Sequence, residues 1–144
     1  MSDLKIIDFI KKQEGLKLKP YVDTVGKITI GYGRNLTDVG ITKEEAEIML
    51  YTDLSVAEFH LREIFPDYDK YPLDLKIVLV SMMFNLGKTR FLTFKKFIKA
   101  IKDKDYKKAI FESINSKRYK QVPNRVNAEI ELLKKLLKEN ENEA

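Results

Sequence analysis

The chain has 144 residues, of which 44% are hydrophobic and 34% are charged, which suits one compact domain and argues against wholesale disorder. It contains no cysteine, which excludes disulfides, thiolate metal ligands and a thiol nucleophile. The net charge of +5 favours an acidic partner, such as nucleic acid, a membrane surface or an anionic cell wall, without choosing among them.

The N-terminal residues predict a short amphipathic helix that ends at Glu14. Apolar residues recur at helical spacing at Ile6, Ile7, Phe9 and Ile10. Gly15 is typical of the position just after a helix C-terminus. Charged residues interrupt the apolar ones, so this segment resembles neither a signal peptide nor a membrane span. We therefore expect a protein made and left in a cytoplasm, without stable insertion into a membrane.

Residues 17–32 predict a β-hairpin with a glycine-containing turn. After the turn, apolar and small residues alternate strictly. Because side chains alternate across a strand, Ile28 and Ile30 share one face. Thr29 lies on the other face, away from the apolar side and near Asp23 across the turn.

The remaining residues predict helices. Thr42 and Glu45 form a capping box that opens a long helix, which ends before Pro66. An apolar run beyond Pro72 predicts a helix buried on most faces, and further helices are expected at about residues 93–102, 105–115 and 124–139. Together the elements predict a single α+β domain over residues 1–144. Its expected parts are a β-containing lobe (about 12–45), a connecting helix (about 42–65) and a helical lobe (1–11 and about 65–144).

Glu14 and Asp23 are candidate catalytic acids for glycoside hydrolysis. That reaction needs one carboxyl group that donates a proton to the leaving oxygen and another, ionised, that attacks or activates water. Apolar neighbours at Ile7, Ile10 and Leu16 are expected to shield Glu14 from water, whereas Asp23 lies at an open turn. Two acids nine residues apart also occur at an ordinary helix end and turn, so the spacing alone does not select catalysis.

The residues from Glu14 to Gly33 contain, in order, the patterns Glu-Gly, Tyr-x-Asp-Thr-x-Gly and Thr-Ile-Gly-x-Gly. This segment closely resembles the active-site segment of phage-type lysozymes, or endolysins, of glycoside hydrolase family 24. The similarity continues through residues 41–47, Phe84-Asn85-x-Gly87 and Pro123-Asn124-Arg125. It implies a mainly helical, lysozyme-like α+β fold.

The resemblance implies an enzyme that hydrolyses the β-1,4 bond between N-acetylmuramic acid and N-acetylglucosamine in bacterial peptidoglycan, leading to host cell lysis. It implies inversion at the anomeric carbon, with no metal and no cofactor. By the same resemblance Glu14 is the general acid, Asp23 positions or activates the water and Thr29 helps to hold that water. Substrate contacts are implied for Asn35, Phe84, Asn85 and Gln121.

Arg125 is implied to position the catalytic acid. It follows Asn124, a candidate N-cap, and the helix dipole opposes a cation in the first turn by about 0.3–1 kcal/mol. An acidic partner is therefore expected, and the resemblance supplies Glu14.

The chain also departs from the family pattern. Only eight residues separate Gly33 from Thr42, so we expect a shortened N-terminal lobe. Arg34 and Arg118 stand where the family pattern has a histidine and a tryptophan, so no role in the sugar cleft is assigned to them.

Two other classes of function stay open at this point. One is a catalytically silent module of the same fold that binds the cell wall, and the other is a basic helical protein that binds nucleic acid. The second lacks a recognised binding motif and leaves the segment 14–33 unexplained. The expectation is a monomer that acts on peptidoglycan strands rather than nucleic acid, and that depends on a pore-forming holin to reach the wall.

Overall fold

The computed structural model describes residues 2–143 of the chain. In chain order the elements are α1 (Ser2–Glu14), β1 (Lys17–Val22), β2 (Ile28–Gly31), β3 (Arg34–Asn35), α2 (Lys43–Ile64), a 3₁₀ turn (Tyr68–Lys70), α3 (Leu73–Phe91), α4 (Lys95–Lys102), α5 (Tyr106–Ile114), α6 (Lys117–Gln121) and α7 (Pro123–Glu143). The predicted mainly helical α+β fold is confirmed.

The chain divides into two compact units, Met1–Met49 and Leu50–Ala144, and the boundary falls within α2. Each unit is described by itself below. The predicted lobe boundaries stay a prediction.

The first unit contains α1 and the three-stranded antiparallel sheet, in the order β1-β2-β3. As predicted, α1 ends at Glu14. Gly15 has a φ of +69°, and its N–H donates to the Lys11 carbonyl at 2.9 Å, a bond that closes the last helical turn. The helix end fixes the place where the Glu14 side chain leaves the backbone.

The predicted hairpin is present, with Tyr21 opposite Thr29 and Val22 opposite Ile28. The alternation of side chains along β2 also holds. However, the side chain that is buried is the polar Thr29, whereas an apolar residue of the other face is exposed. Thr29 is buried at 3% exposure, whereas Ile28 is 48% exposed. The sequence pattern identified the two faces and did not identify which of them is covered.

The capping box at the start of α2 is confirmed. The Thr42 hydroxyl accepts from the Glu45 N–H at 3.1 Å, and the Glu45 carboxylate accepts from the Thr42 N–H at 2.9 Å. Two backbone donors at the helix start are therefore satisfied reciprocally.

The second unit contains the described hydrophobic core, to which α2, α3, α4, α5 and α7 contribute. As predicted, α3 is buried on most faces, and its buried residues include Leu75, Val78, Leu79, Met82, Met83 and Leu86. A kink lies at Gly87, whose φ of +73° and ψ of 166° are not helical. A side chain would be strained in that conformation, which explains the glycine.

The boundaries of the last helices differ from the prediction. The short helix α6 was not predicted, and α7 begins at Pro123, so Asn124 lies in its first turn instead of capping it. Proline is well suited to a first helical position because its missing N–H has no partner there anyway. The helix also continues to Glu143, beyond the end expected at Glu139.

Among residues 2–143, none of the helices is both long enough and apolar enough to cross a bilayer.

Candidate functional site

Glu14 lies against the turn that joins β2 to β3. A β-carbon built on Gly33 would lie 2.7 Å from Glu14 Oε2 and 3.2 Å from its Cδ. The absence of a side chain at Gly33 therefore makes room for the Glu14 carboxyl group. The helix end and the tight turn of the sheet together define the position of this acid.

The expected shielding of Glu14 by apolar neighbours is not what the structure shows. Glu14 is exposed. Ile7 and Ile10 are each 46% exposed and Leu16 is 49% exposed. Accordingly, the Glu14 carboxyl group is open to solvent, which is also the access that a substrate needs.

Asp23 is built into the turn between β1 and β2. Its Oδ1 accepts from the Val25 N–H at 3.0 Å and from the Lys27 N–H at 2.8 Å, and its own N–H donates to the Lys27 carbonyl at 2.9 Å. These bonds fix the carboxylate plane. Oδ2 receives no hydrogen bond from any described residue, so one oxygen of a rigidly held carboxylate is left to accept a proton from water.

Thr29 lies on β2, beside the same turn. Its hydroxyl donates to the Lys27 carbonyl at 3.1 Å. Since a hydroxyl also carries two acceptor lone pairs, Thr29 keeps the capacity to accept from a water molecule. The turn that holds Asp23, between β1 and β2, and the turn that lies against Glu14, between β2 and β3, therefore belong to one small sheet.

Asn35, predicted to bind substrate, has both polar atoms of its side chain engaged locally. Oδ1 accepts from the Asp38 N–H at 3.0 Å and Nδ2 donates to Asp38 Oδ2 at 3.0 Å. This residue therefore shapes the turn after β3, and its contact with substrate stays a prediction.

Arg34 pairs with the helix cap in the first unit. Its guanidinium donates to both oxygens of Glu45 at 2.8 Å and to the Gly40 carbonyl at 3.2 Å. The hydrogen bond from Arg34, together with that from the Thr42 N–H, lowers the pKa of Glu45 to about 2. Arg34 thereby ties the edge strand β3 to the start of α2.

The second unit carries Phe84 and Asn85 on α3 and Gln121 at the end of α6. Phe84 is 39% exposed, Asn85 is half-buried and Gln121 is exposed. Phe84 also lines an apolar groove of about 530 Å³, and Arg125 lies at the same groove. Phe84 and Arg125 therefore line the same groove. Contact of Phe84, Asn85 and Gln121 with substrate stays a prediction.

Arg125 has an acidic neighbour within its own unit. Its Nε donates to the Ser81 hydroxyl at 3.1 Å, Nη2 donates to the Ser81 carbonyl at 2.9 Å, and Nε lies 3.9 Å from Glu129 Oε2. Glu129 was missed in the sequence, although it follows Arg125 at the helical i,i+4 spacing. That Arg125 positions Glu14 stays a prediction.

Arg118 is buried instead of facing a cleft. It forms a two-pronged ion pair with Glu129, and both side chains are 4% exposed. Arg118 Nε also donates to Asn85 Oδ1 at 2.6 Å. Glu129 lies on the buried face of α7 together with Val126 and Ile130, and a carboxylate among these apolar residues is the only trace of the pair in the sequence of the helix.

Comparison with known proteins identifies relatives over most of the chain. A family model described as phage lysozyme matches residues 11–139. Two proteins of Dictyostelium discoideum, named probable T4-type lysozyme 1 and 2, are each 30% identical and cover 89% and 88% of this chain and 92% and 91% of their own lengths. An endolysin of Acyrthosiphon pisum secondary endosymbiont phage 1 is 37% identical over 58% of each chain.

Proposed function

This chain belongs to the phage lysozyme family and is a glycoside hydrolase that acts on peptidoglycan, and we propose that Glu14 and Asp23 carry out the hydrolysis. The bond cleaved is the β-1,4 linkage between N-acetylmuramic acid and N-acetylglucosamine. The observation that supports the assignment is the position of the Glu14 carboxyl group beside Gly33, in the turn between β2 and β3. The same small sheet holds Asp23 in the turn between β1 and β2 and carries Thr29 on β2.

In the proposed reaction the Glu14 proton passes to the glycosidic oxygen as the bond from that oxygen to the anomeric carbon breaks. A water molecule forms the new bond to the anomeric carbon, and its proton passes to the free oxygen of Asp23. Thr29 accepts a hydrogen bond from this water and so restricts its position. Exchange of protons with solvent then restores both acids for the next cycle.

Residues of both units are proposed to bind the glycan: Asn35 in the first, Phe84, Asn85 and Gln121 in the second. An aromatic side chain such as Phe84 offers an apolar face to a sugar ring, while amides offer donors and acceptors to its hydroxyl and acetamido groups. Arg125 is proposed to position the catalytic acid.

The assignment is tested by clearing of outer-membrane-permeabilised Gram-negative cells. Glu14→Gln keeps the shape of the side chain and removes its acidic proton, and we expect it to lose activity by about 10²- to 10⁴-fold. Glu44→Gln is the matched control on α2, and it should clear cells at the wild-type rate. Equal clearing by wild type and Glu14→Gln would refute the assigned acid. No clearing by either would instead indicate a catalytically silent module that binds the wall.

The stereochemical outcome distinguishes the two possible roles of Asp23. If Asp23 activates water, the first product released from a β-linked glycan carries an α-configured reducing end, because a single displacement inverts the anomeric carbon. Proton NMR of the first-formed product, recorded before mutarotation, measures this configuration. A β-configured first product would contradict water activation by Asp23 and would indicate a double displacement, with a carboxylate or the substrate's own acetamido oxygen as the nucleophile.

We further propose that the enzyme works as a monomer and reaches the wall from inside a bacterial cell through a separate pore-forming protein. The lack of a membrane-crossing helix among residues 2–143, and the relative named endolysin, support this route. Cells that express the chain should stay intact until their inner membrane is opened, and lyse rapidly afterwards. Lysis before opening would contradict the proposal.

A further inference from the structure

A contribution to stability does not account for the buried ion pair between Arg118 and Glu129. Two charges have been removed from water, with guanidinium-to-carboxylate distances of 2.5 and 2.7 Å. Such pairs rarely stabilise a fold more than apolar residues of similar volume, because desolvation offsets their attraction. The geometry around the pair indicates what else it does.

Arg118 fixes the orientation of the Asn85 amide. A guanidinium can only donate, so the atom that meets Arg118 Nε at 2.6 Å must be the amide oxygen of Asn85. The amide nitrogen, Nδ2, then points away from Arg118. It has no hydrogen-bond partner among the described residues, and Asn85 is only half-buried. A free donor is therefore held in one defined orientation.

Glu129 in turn fixes Arg118 and the neighbouring α3 residue Ser81. Both Glu129 oxygens accept from the guanidinium, and Oε2 also accepts from the Ser81 hydroxyl at 2.6 Å. The same hydroxyl accepts from Arg125 Nε. Five side chains on three helices thus support one another: Ser81, Asn85, Arg118, Arg125 and Glu129. Within this network the Asn85 amide nitrogen keeps an unused donor.

We propose that Arg118 and Glu129 are positioning residues that orient Asn85 so that its Nδ2 donates to an acceptor oxygen of the glycan. The acceptor is an acetamido carbonyl or a hydroxyl of an N-acetylhexosamine unit. The proposal rests on the proposed function, because it requires a glycan substrate at Asn85. It assigns a role to two residues that act through Asn85 without touching the reacting atoms.

The first test removes the ion pair as a whole. Arg118→Met together with Glu129→Leu replaces both charges by apolar side chains, so it leaves no unpaired buried charge and should preserve the melting temperature. Loss of one oriented donor should raise KM by about two- to tenfold and leave kcat unchanged. Arg62→Met is the control, because it removes an arginine–carboxylate pair with Asp69 elsewhere in the same unit. It should change neither constant.

The second test asks whether the ion pair acts through Asn85. Asn85→Ala should raise KM by a similar factor, and adding Arg118→Met and Glu129→Leu to it should raise KM no further. Multiplication of the two effects would show that the pair acts elsewhere and would overturn the proposal. A merely structural role of the pair would give such multiplication.

Asn85→Asp provides a third test, which does not depend on removing buried charges. The carboxylate still accepts from Arg118, so the fold is kept, but the donor is gone. We expect an unchanged or higher melting temperature and a raised KM. An unchanged KM would contradict the proposal.

Dissociation constants for a soluble N-acetylglucosamine oligomer, measured in the Glu14→Gln background, separate this inference from the proposed reaction. Binding in that background requires no catalysis. If Glu14→Gln hydrolyses peptidoglycan at the wild-type rate, the proposed acid is wrong, while the dissociation constants still decide the role of the pair. If Glu14→Gln is inactive and Asn85→Asp binds the oligomer as tightly as its parent does, only the inference about Arg118 and Glu129 fails.

Discussion

Gly33 is the residue whose missing side chain matters most for the position of Glu14. Its φ of +81° disfavours any other residue, and a β-carbon would lie 2.7 Å from Glu14 Oε2. We expect Gly33→Ala to lose stability by about 1–2 kcal/mol from backbone strain. It should also lower kcat by about 100-fold, because the acid must move by a substantial fraction of an ångström. Thermal unfolding and cell-clearing rates measure the two effects separately.

Gly40→Ala is the matched control for this prediction. Gly40 has a similar φ of +67°, but nothing lies within 4 Å of a β-carbon there. The two variants should therefore lose similar stability, and only Gly33→Ala should lose kcat at a temperature where both are folded. An equal loss of kcat in the two variants would attribute the effect to strain alone.

At the scale of elements, the bond between Arg34 and Glu45 joins β3 to the start of α2, and it should make the first unit sensitive to acid. Hydrogen bonding by Arg34 lowers the pKa of Glu45 to about 2, from its usual value of 4.5. A carboxyl group with a depressed pKa in the folded state stabilises the fold above its unfolded pKa, and this contribution is lost as pH falls through the folded pKa. The loss should therefore fall between about pH 4.5 and pH 2.

Glu45→Gln should remove this dependence. Its first unit should be less stable than the wild type near neutral pH, and the difference should shrink as the pH falls toward 2. Amide hydrogen exchange in β2, β3 and the first turn of α2 reports the stability of this unit alone. Glu44→Gln, one residue earlier on α2, should follow the wild-type curve. Parallel curves for Glu45→Gln and wild type would contradict the role assigned to the pair.

At the scale of the whole molecule, local chemistry decided which features the sequence predicted. Gly15 after Glu14 and the capping box at Thr42 act through neighbours in the chain, so their helix boundaries were predictable. The strand β3 has two residues, too few for a periodic pattern. The coverage of Thr29 and the pairing of Arg118 with Glu129 depend on residues brought together by tertiary packing, so no local pattern defined them.

The site was predictable to a similar extent. The patterns around Glu14, Asp23 and Thr29 predicted the candidate residues of the first unit through the family resemblance, and their catalytic roles stay a prediction. The apolar residues expected to shield Glu14 did not do so, since periodicity shows which side chains share a face and not what covers that face. Asn85 was predicted without its partner Arg118, because the family pattern has a tryptophan at the position of Arg118 and so offered no partner of this kind.

The net charge of the whole molecule leads to the last prediction, which concerns how the enzyme approaches its substrate. Lysine and arginine total 27 against 22 aspartate and glutamate, so the molecule carries +5 while the cell wall is anionic. Long-range attraction of this kind raises the rate of encounter and is screened within about 10 Å at 0.1 M salt. The ratio kcat/KM on whole cell walls should therefore fall as salt rises.

Replacing Lys102, Lys107 and Lys138 by glutamine lowers the net charge from +5 to +2, because each change removes one positive charge. All three are exposed, and they lie outside the residues assigned to the site. We expect a lower kcat/KM at low salt, a shallower salt dependence and convergence with wild type at high salt. Binding of a neutral N-acetylglucosamine oligomer is the control, since the oligomer offers no charge to attract and both proteins should bind it with the same dissociation constant. If the triple variant bound the oligomer more weakly as well, the lysines would act on the fold or the site instead of on encounter with the wall.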